Sequence, residues 1–333
     1  MTELRPFPAE LLIIGTTSLV GSRFVEQLGG ISQFYGANRQ KPASPLLKNG
    51  WGMDVTDAGS VLNVIKEYPG QYILNFAGFT DVGAAEKMRP QNPLDQQSLN
   101  DNPAYQLNVV ATKNIIAACQ QTGKFPIFLS TDFVFDGKIG PYREQDLRAS
   151  NSNDINWYGW TKLLAELETE KLGLDYLMIR IAYPYRKDFS GKGDFGRDML
   201  TKAATRAADG TVTFNYPLFT DQKLTPTFID DLAPALTALI EKGQKGIYHL
   251  ASPEIVSPFD FGCEIYRVAW GMKDPENLIE KGDLEEILLN GGTKKPLHGG
   301  LKVEKLIHDA GFTPTDWKTG IKLAYSPGKV DWN

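Results

Sequence analysis

Apolar and polar positions fall into blocks along the first half of the chain, and each block has the length of one structural element. The run Leu11-Leu12-Ile13-Ile14 holds no polar residue and ends at Gly15. Such a run predicts a strand buried on both faces. Leu19–Leu28 changes period. Val20, Phe24 and Leu28 recur every fourth position, as on one side of a helix. Residues 34–37 and 72–76 read as further strands, the second running into Ala77-Gly78. Residues 105–121 predict a helix, with Leu107, Val110, Ala111, Ile115 and Ala118 on a 3.6-residue period that only Asn114 interrupts. A central strand at 127–129, a helix over 158–171 and a strand over 176–181 follow.

Repeated strand–helix units predict an α/β fold with a doubly wound parallel sheet covered on both faces. Ligands of such sheets bind beyond the carboxyl ends of the strands. Gly15, Ala77, Thr131 and Ile181 all fall at such ends. Two polar stretches, 89–103 and 138–156, read as loops. Beyond Tyr183 the pattern loses regularity until Pro226, where a helix over 232–240 and a strand over 246–250 resume it. Two or three helical stretches are expected within 257–333. The expected division is a core domain over 1–182, rejoined by 227–256. A smaller C-terminal substrate-binding region comprises 183–226 and 257–333.

Composition narrows the function. With 333 residues, 42% hydrophobic and 23% charged, the chain has the balance of a globular enzyme. A net charge of −5 offers no footprint for nucleic acid. No N-terminal apolar run resembles a signal peptide and none approaches a membrane span, so a cytoplasmic protein without membrane contact is expected. Cys119 and Cys263 are far apart, His249, His298 and His308 are scattered, and no metal site is expected. His249 lies in a strand pattern and reads as structural.

The turn after the first strand is Gly15-Thr16-Thr17-Ser18-Leu19-Val20-Gly21. Small residues there let a diphosphate approach the N–H groups of a helix N-terminus. Gly15, Thr17, Ser18, Leu19, Val20 and Gly21 are therefore candidate cofactor contacts. Ser18 stands where a third glycine is usual, and its hydroxyl is a candidate phosphate donor. The second strand ends in Asn38-Arg39 with no carboxylate for a ribose 2′-hydroxyl. A guanidinium suits a 2′-phosphate, so NADPH is favoured over NADH. Asp54 and Val55 are placed near the adenine, and Phe76, Ala77, Gly78 and Thr80 along the cofactor's path.

Tyr158 and Lys162 stand four residues apart, on one helical face. An ammonium there is expected to lower the phenol pKa. Moving it from about 10 to about 7 takes about 4 kcal/mol of differential interaction. Thr131, at the end of the central strand, is placed to hydrogen-bond the same substrate oxygen.

Three segments carry a resemblance to a known family. They are Leu129-Ser130-Thr131-Asp132-Phe133-Val134-Phe135-Asp136-Gly137, Asn156-Trp157-Tyr158-Gly159-Trp160-Thr161-Lys162-Leu163 and Asn75-Phe76-Ala77-Gly78-Phe79-Thr80-Asp81-Val82. The chain resembles the extended short-chain dehydrogenases/reductases, and within them the dTDP-4-dehydrorhamnose reductase-like group. The resemblance implies a Rossmann-type fold and a catalytic trio of Thr131, Tyr158 and Lys162. It also implies Asn108 as the helix asparagine of a proton relay, and Ile181 beside the cofactor. The implied activity is NAD(P)H-dependent reduction of a keto group on a nucleotide sugar. Asp132, Arg186 and Arg197 are its candidate substrate ligands, with Lys187, Lys192 and Lys223 as further cations. Phe133 replaces the glutamate often found in related dehydratases, which disfavours elimination of water. An epimerase retaining NAD stays open. So does a non-catalytic regulatory subunit like that of methionine adenosyltransferase. A homodimer is the assembly carried forward.

Overall fold

The computed structural model describes residues 6–171, 173–187, 193–207 and 209–326. Seven parallel strands form its central sheet: β1 (Leu11–Ile14), β2 (Phe34–Asn38), β3 (Asn49–Gly52), β4 (Tyr72–Asn75), β5 (Phe125–Thr131), β6 (Leu177–Ile181) and β7 (Gly246–His249). Their spatial order is β7-β6-β5-β4-β1-β2-β3. The chain steps outward from β1 to β3, returns to β4 on the other side of β1 and continues outward to β7. The order reverses between β1 and β4, where such sheets open a crevice.

The unbroken apolar run of β1 follows from burial on both faces. Leu11 and Ile13 pack with Phe24, Leu28 and Leu236 on one side. Leu12 and Ile14 pack with Ile65, Ile115 and Met178 on the other. Arg23 ties the helix Leu19–Leu28 to the returning segment through Asp230, with Nε at 2.8 Å and Nη2 at 2.6 Å from its two oxygens. A second core gathers Tyr185, Leu218, Phe261, Tyr266, Ile321 and Tyr325 from the C-terminal region.

The structure differs from the sequence expectation in four places. β3 reads Asn49-Gly50-Trp51-Gly52 and has no apolar run; it is an edge strand defined by its pairing with β2. The helix expected over 105–121 begins as one turn, Pro103–Tyr105, widens into a π-helical turn at Gln106–Val110 and continues as Ala111–Thr122. Asn114 breaks its period because its Nδ2 donates to the Val55 carbonyl at 3.0 Å. The polar stretch 89–103 contains a short helix, Gln96–Asn100. Beyond residue 257 the described residues hold four α-helices: Pro258–Trp270, Leu284–Leu289, Glu304–Ala310 and Trp317–Tyr325. The third places Leu306 and Ala310 in the β1-side core, not in the C-terminal one.

The helix Trp157–Lys171 is pressed onto the turn Asp132–Val134 that follows β5. A Cβ at Gly159 would lie 2.2 Å from the Phe133 carbonyl oxygen. Gly159→Ala is therefore expected to push the helix off this turn and cost about 1–3 kcal/mol. Urea unfolding checks this, and an unchanged midpoint at unchanged slope would contradict the contact.

Candidate active site

The crevice at the β1–β4 switch has a volume of about 430 Å³. Its lining includes Gly15, Thr17, Ser18, Asn38, Arg39, Asp54, Val55, Phe76, Ala77 and Gly78 from the expected cofactor set. Leu19, Val20, Gly21, Thr80 and Ile181 lie outside that lining. The Val20 side chain belongs to the core, and Leu19 packs against it.

Local geometry explains the loop. Gly15 has φ +83°, and a Cβ there would lie 2.7 Å from the Ala77 nitrogen. Only glycine meets both conditions. Ser18 needs no such freedom, since its φ is −68°. Its Oγ accepts from the Gly21 N–H at 3.0 Å and caps the helix. The serine that replaces a glycine is thus engaged as a helix cap. Asn38 is turned inward: its Oδ1 accepts from Thr16 N at 2.9 Å and its Nδ2 donates to Thr16 Oγ1 at 2.8 Å. This clamp leaves Arg39, which is exposed, as the charged group at the end of β2. Thr56 holds the Asp54 carboxyl below its ordinary range through its hydroxyl and amide, and Arg39 adds to the effect.

Thr131 is the last residue of β5, and Tyr158 and Lys162 lie on the first turns of the following helix. The Tyr158 ring stands edge-on to Phe133 at 6.0 Å. Burial pushes its phenol up to about 12; the Thr131 hydroxyl opposes the shift and the Asp132 charge adds to it. This reverses the expected lowering. The Lys162 ammonium is instead turned to the Leu129 carbonyl, 2.5 Å away. Burial pushes Lys162 down to about 8, with the Glu166 charge opposing.

Asn108 sits in the π-helical turn and is buried. Its Oδ1 accepts from Phe79 N at 2.8 Å, and its Nδ2 donates to Phe79 O at 3.1 Å and Thr161 Oγ1 at 2.9 Å. Its side chain therefore locks the segment after β4 to the catalytic helix. Three of the four hydrogen-bonding positions of the amide are thus used, and its backbone carbonyl accepts from Thr112 Oγ1 at 2.7 Å.

Asp132 is buried beside Thr131, whose hydroxyl donates to its Oδ1 at 3.3 Å. Its Oδ2 has no hydrogen-bond partner among the described residues. Burial pushes this carboxyl up to about 7. Of its neighbours, Tyr183 escaped the sequence reading, whereas Gln222 lies in a segment expected near the cleft with its role open. Tyr183 has φ +43°, the one non-glycine in the left-handed region among the described residues. A bulky residue there is strained, and such strain gathers at functional sites. Gln222 Nε2 donates to the Tyr183 hydroxyl at 2.8 Å and to the Pro296 carbonyl at 3.0 Å. The available signal for Tyr183 was its place just beyond the end of β6.

Arg186 and Arg197, expected on the substrate side, are held by contacts within the protein. Both are buried. Arg197 Nη1 lies 2.6 Å from Asp194 Oδ2 and 2.9 Å from the Arg186 carbonyl. Arg186 Nη1 reaches Ser22 Oγ at 3.1 Å. Asp194, the cap of the helix Phe195–Asp198, draws Arg197 inward, so both guanidiniums brace the interior. Lys223 is exposed, with its backbone pinned by Leu297 and Gly299. Lys187 is half-buried, and Lys192 lies outside the described residues. Burial, then Arg180, pushes His249 well below its ordinary value, as a structural histidine requires.

Comparison with known proteins agrees with this geometry. The RmlD substrate binding domain family matches residues 9–329. The probable low-salt glycan biosynthesis reductase Agl14 of Haloferax volcanii is 33% identical over 222 residues, 66% of each chain. The dTDP-4-dehydrorhamnose reductase of Aggregatibacter actinomycetemcomitans is 27% identical over 281 residues, 81% of this chain and 85% of that one. The crystal structure of dTDP-4-dehydrorhamnose reductase from Bacillus anthracis in complex with NADP superposes with a TM-score of 0.73 at 21% identity, covering 95% of this chain and 97% of that one. The crevice, the tyrosine–lysine helix and a match over almost the whole length agree: the chain belongs to the RmlD substrate binding domain family.

Proposed function

We propose that the protein is a nicotinamide-dependent reductase acting on a keto carbon of a nucleotide sugar, with Tyr158 as the proton donor. The observation that carries this reading is the convergence of Thr131, Tyr158 and Lys162 at the carboxyl end of β5, beside the β1–β4 crevice. The substrate class follows from the reductases to which the chain is similar, among them a dTDP-4-dehydrorhamnose reductase.

The crevice fits a dinucleotide. Gly15 lets backbone approach backbone where a side chain would intrude, and the capped helix behind it presents its N-terminus. Arg39 at the end of β2 suits a 2′-phosphate, and Lys162 suits the hydroxyls of the nicotinamide ribose. When bound there, NADPH supplies the hydride. The Thr131 hydroxyl turns from Asp132, and the substrate carbonyl accepts hydrogen bonds from Thr131 and Tyr158. As negative charge develops on that oxygen, Tyr158 passes it the phenolic proton. Lys162, released from the Leu129 carbonyl, then faces the tyrosinate and stabilises it. Asp132, Tyr183 and Gln222 offer polar groups to the sugar hydroxyls.

Titration of the purified protein with NADPH and NADH, then turnover with a dTDP-4-keto sugar, tests the proposal. Reversible binding that favours NADPH and substrate-dependent loss of nicotinamide absorbance are expected. NAD that co-purifies and resists exchange would point to an epimerase, and no turnover with intact binding to a regulatory subunit. Tyr158→Phe is expected to lower kcat by about 10²–10⁴ while leaving NADPH affinity within about twofold. Arg39→Ala should weaken NADPH binding about tenfold and NADH binding far less.

Asp132 generates a pH prediction. Its carboxyl titrates near 7 when folded and near 3.8 otherwise. The folded state therefore holds the extra proton between those values, and stability falls as pH rises through them. Asp132→Asn removes that slope. It is expected to gain on the order of 4 kcal/mol relative to the parent at pH above 7 and nothing below pH 4, by urea unfolding at each pH. An equal gain at both ends would show that the carboxylate is not the cause.

A further inference from the structure

A second buried charge lies behind the catalytic lysine, and the chemistry above leaves it unused. Glu166 follows Lys162 by one helical turn, so both leave the helix on one face. Its carboxylate is buried. Oε1 accepts from Ser130 Oγ at 2.5 Å and Arg180 Nε at 2.9 Å. Oε2 accepts from Arg180 Nη2 at 2.6 Å and Arg148 Nη1 at 3.0 Å. These partners come from β5, β6 and the loop 138–156. Ser130 is the residue before Thr131, so the same carboxylate fixes the strand that carries the substrate-facing hydroxyl.

A cavity of about 10 Å³ joins Glu166 to Lys162. That is the scale of one water molecule. Asn75, Asn108, Thr112 and Ser130 complete its polar lining, and Glu166 is the one carboxylate in it. The charges around the pair are accounted for element by element. β5 presents the Leu129 carbonyl and Ser130. β4 and the π-helical turn present the neutral Asn75 and Asn108. β6 presents Arg180, which faces His249 Nε2 of β7 at 3.2 Å and the Glu144 carbonyl at 3.2 Å. The Glu144 carboxylate accepts from His249 N. The loop presents Arg148, which also pairs with Glu170 at 2.8 and 2.9 Å. Tyr158 precedes Lys162 by one turn on the same helix, and its ring packs on Phe133.

We propose that Glu166 is a positioning residue for Lys162: a carboxylate fixed by Ser130, Arg180 and Arg148 that keeps the catalytic lysine charged and aligned over β5. Burial alone drives an ammonium toward its neutral form. A fixed negative charge one turn away, across a water-sized cavity in a medium of low dielectric, opposes that drive. Against the cost of burial, Arg180 and Ser130 hold the Glu166 carboxyl below its ordinary range, so its charge persists wherever Lys162 titrates. The loop 138–156 thereby reports to the lysine through Arg148.

The proposal uses the reductase reading only for the contact between Lys162 and the cofactor ribose. The test is NADPH affinity measured by fluorescence across roughly pH 6–10. The parent is expected to lose affinity near pH 8, as Lys162 gives up its proton. Glu166→Gln should move that break down by about one pH unit, a change of about tenfold in affinity just above it. Glu166→Asp keeps the charge and should leave the break in place. Arg148→Met removes a cation from the carboxylate and should move the break upward. A break that stays fixed in Glu166→Gln and Arg148→Met, with affinity reduced evenly at every pH, overturns the proposal. Glu166→Gln leaves Arg180 buried without its partner, and where it does not fold Arg148→Met decides alone by the same criterion. Absence of NADPH binding in the parent would remove the reductase reading and this proposal with it. A normal parental break that Glu166→Gln does not shift removes this proposal only.

Discussion

The level at which the strands end governs everything built above them. Ile14 pairs with Ala37 on one side and Asn75 on the other, so β1 and β4 stop together and β2 runs one residue further, to Asn38. Gly15 turns at that level, and its contact with Ala77 leaves no room for a side chain. β5 runs further. Asn75 pairs with Phe128, and three more residues carry Thr131 beyond the crevice floor. The catalytic helix returns over this extension. A parallel sheet thus supplies a low floor at the crevice and a raised ledge that carries Thr131, using nothing but register.

The ledge is held at an electrostatic cost. Tyr158, Lys162 and Asp132 are each pushed toward their neutral forms by burial. Clusters of perturbed groups in a cleft mark sites of chemistry more often than sites of stability. The rest of the molecule supports them with satisfied polar contacts. Asn108 closes three hydrogen bonds, and Glu166 accepts four. Tyr183 adds backbone strain at the same ledge, with Gln222 holding its hydroxyl.

Much of this was legible in the sequence, for identifiable reasons. β1 declared itself because a strand buried on both faces must be apolar throughout. The tyrosine–lysine spacing survives because a helix fixes the i, i+4 relation locally. β3 was silent because an edge strand borrows its order from a partner. The internal contacts of Arg186 and Arg197 were not legible because a guanidinium pattern cannot show what will claim it; Asp194 pairs with Arg197 from three residues away, and Ser22 accepts from Arg186. The direction of the Tyr158 shift was misread for a related reason. Spacing places an ammonium near the phenol, but its orientation depends on the Leu129 carbonyl, which the helix sequence does not contain.

Arginines tie the two polar loops to each other and to the rest of the fold. Arg89 opens the first and donates to the carbonyls of Ser152 and Ile155 in the second, at 2.9 and 2.7 Å. Its partner Glu86 also accepts from Trp157 N, the first residue of the catalytic helix. Arg148 in the second loop reaches the same helix from its other end through Glu166 and Glu170. Both segments are therefore anchored to the helix that carries Tyr158 and Lys162. Their tips, where Leu94, Ile139 and Leu147 lie, are exposed. The anchors bear on the site, because a loop that shifted would carry that helix with it.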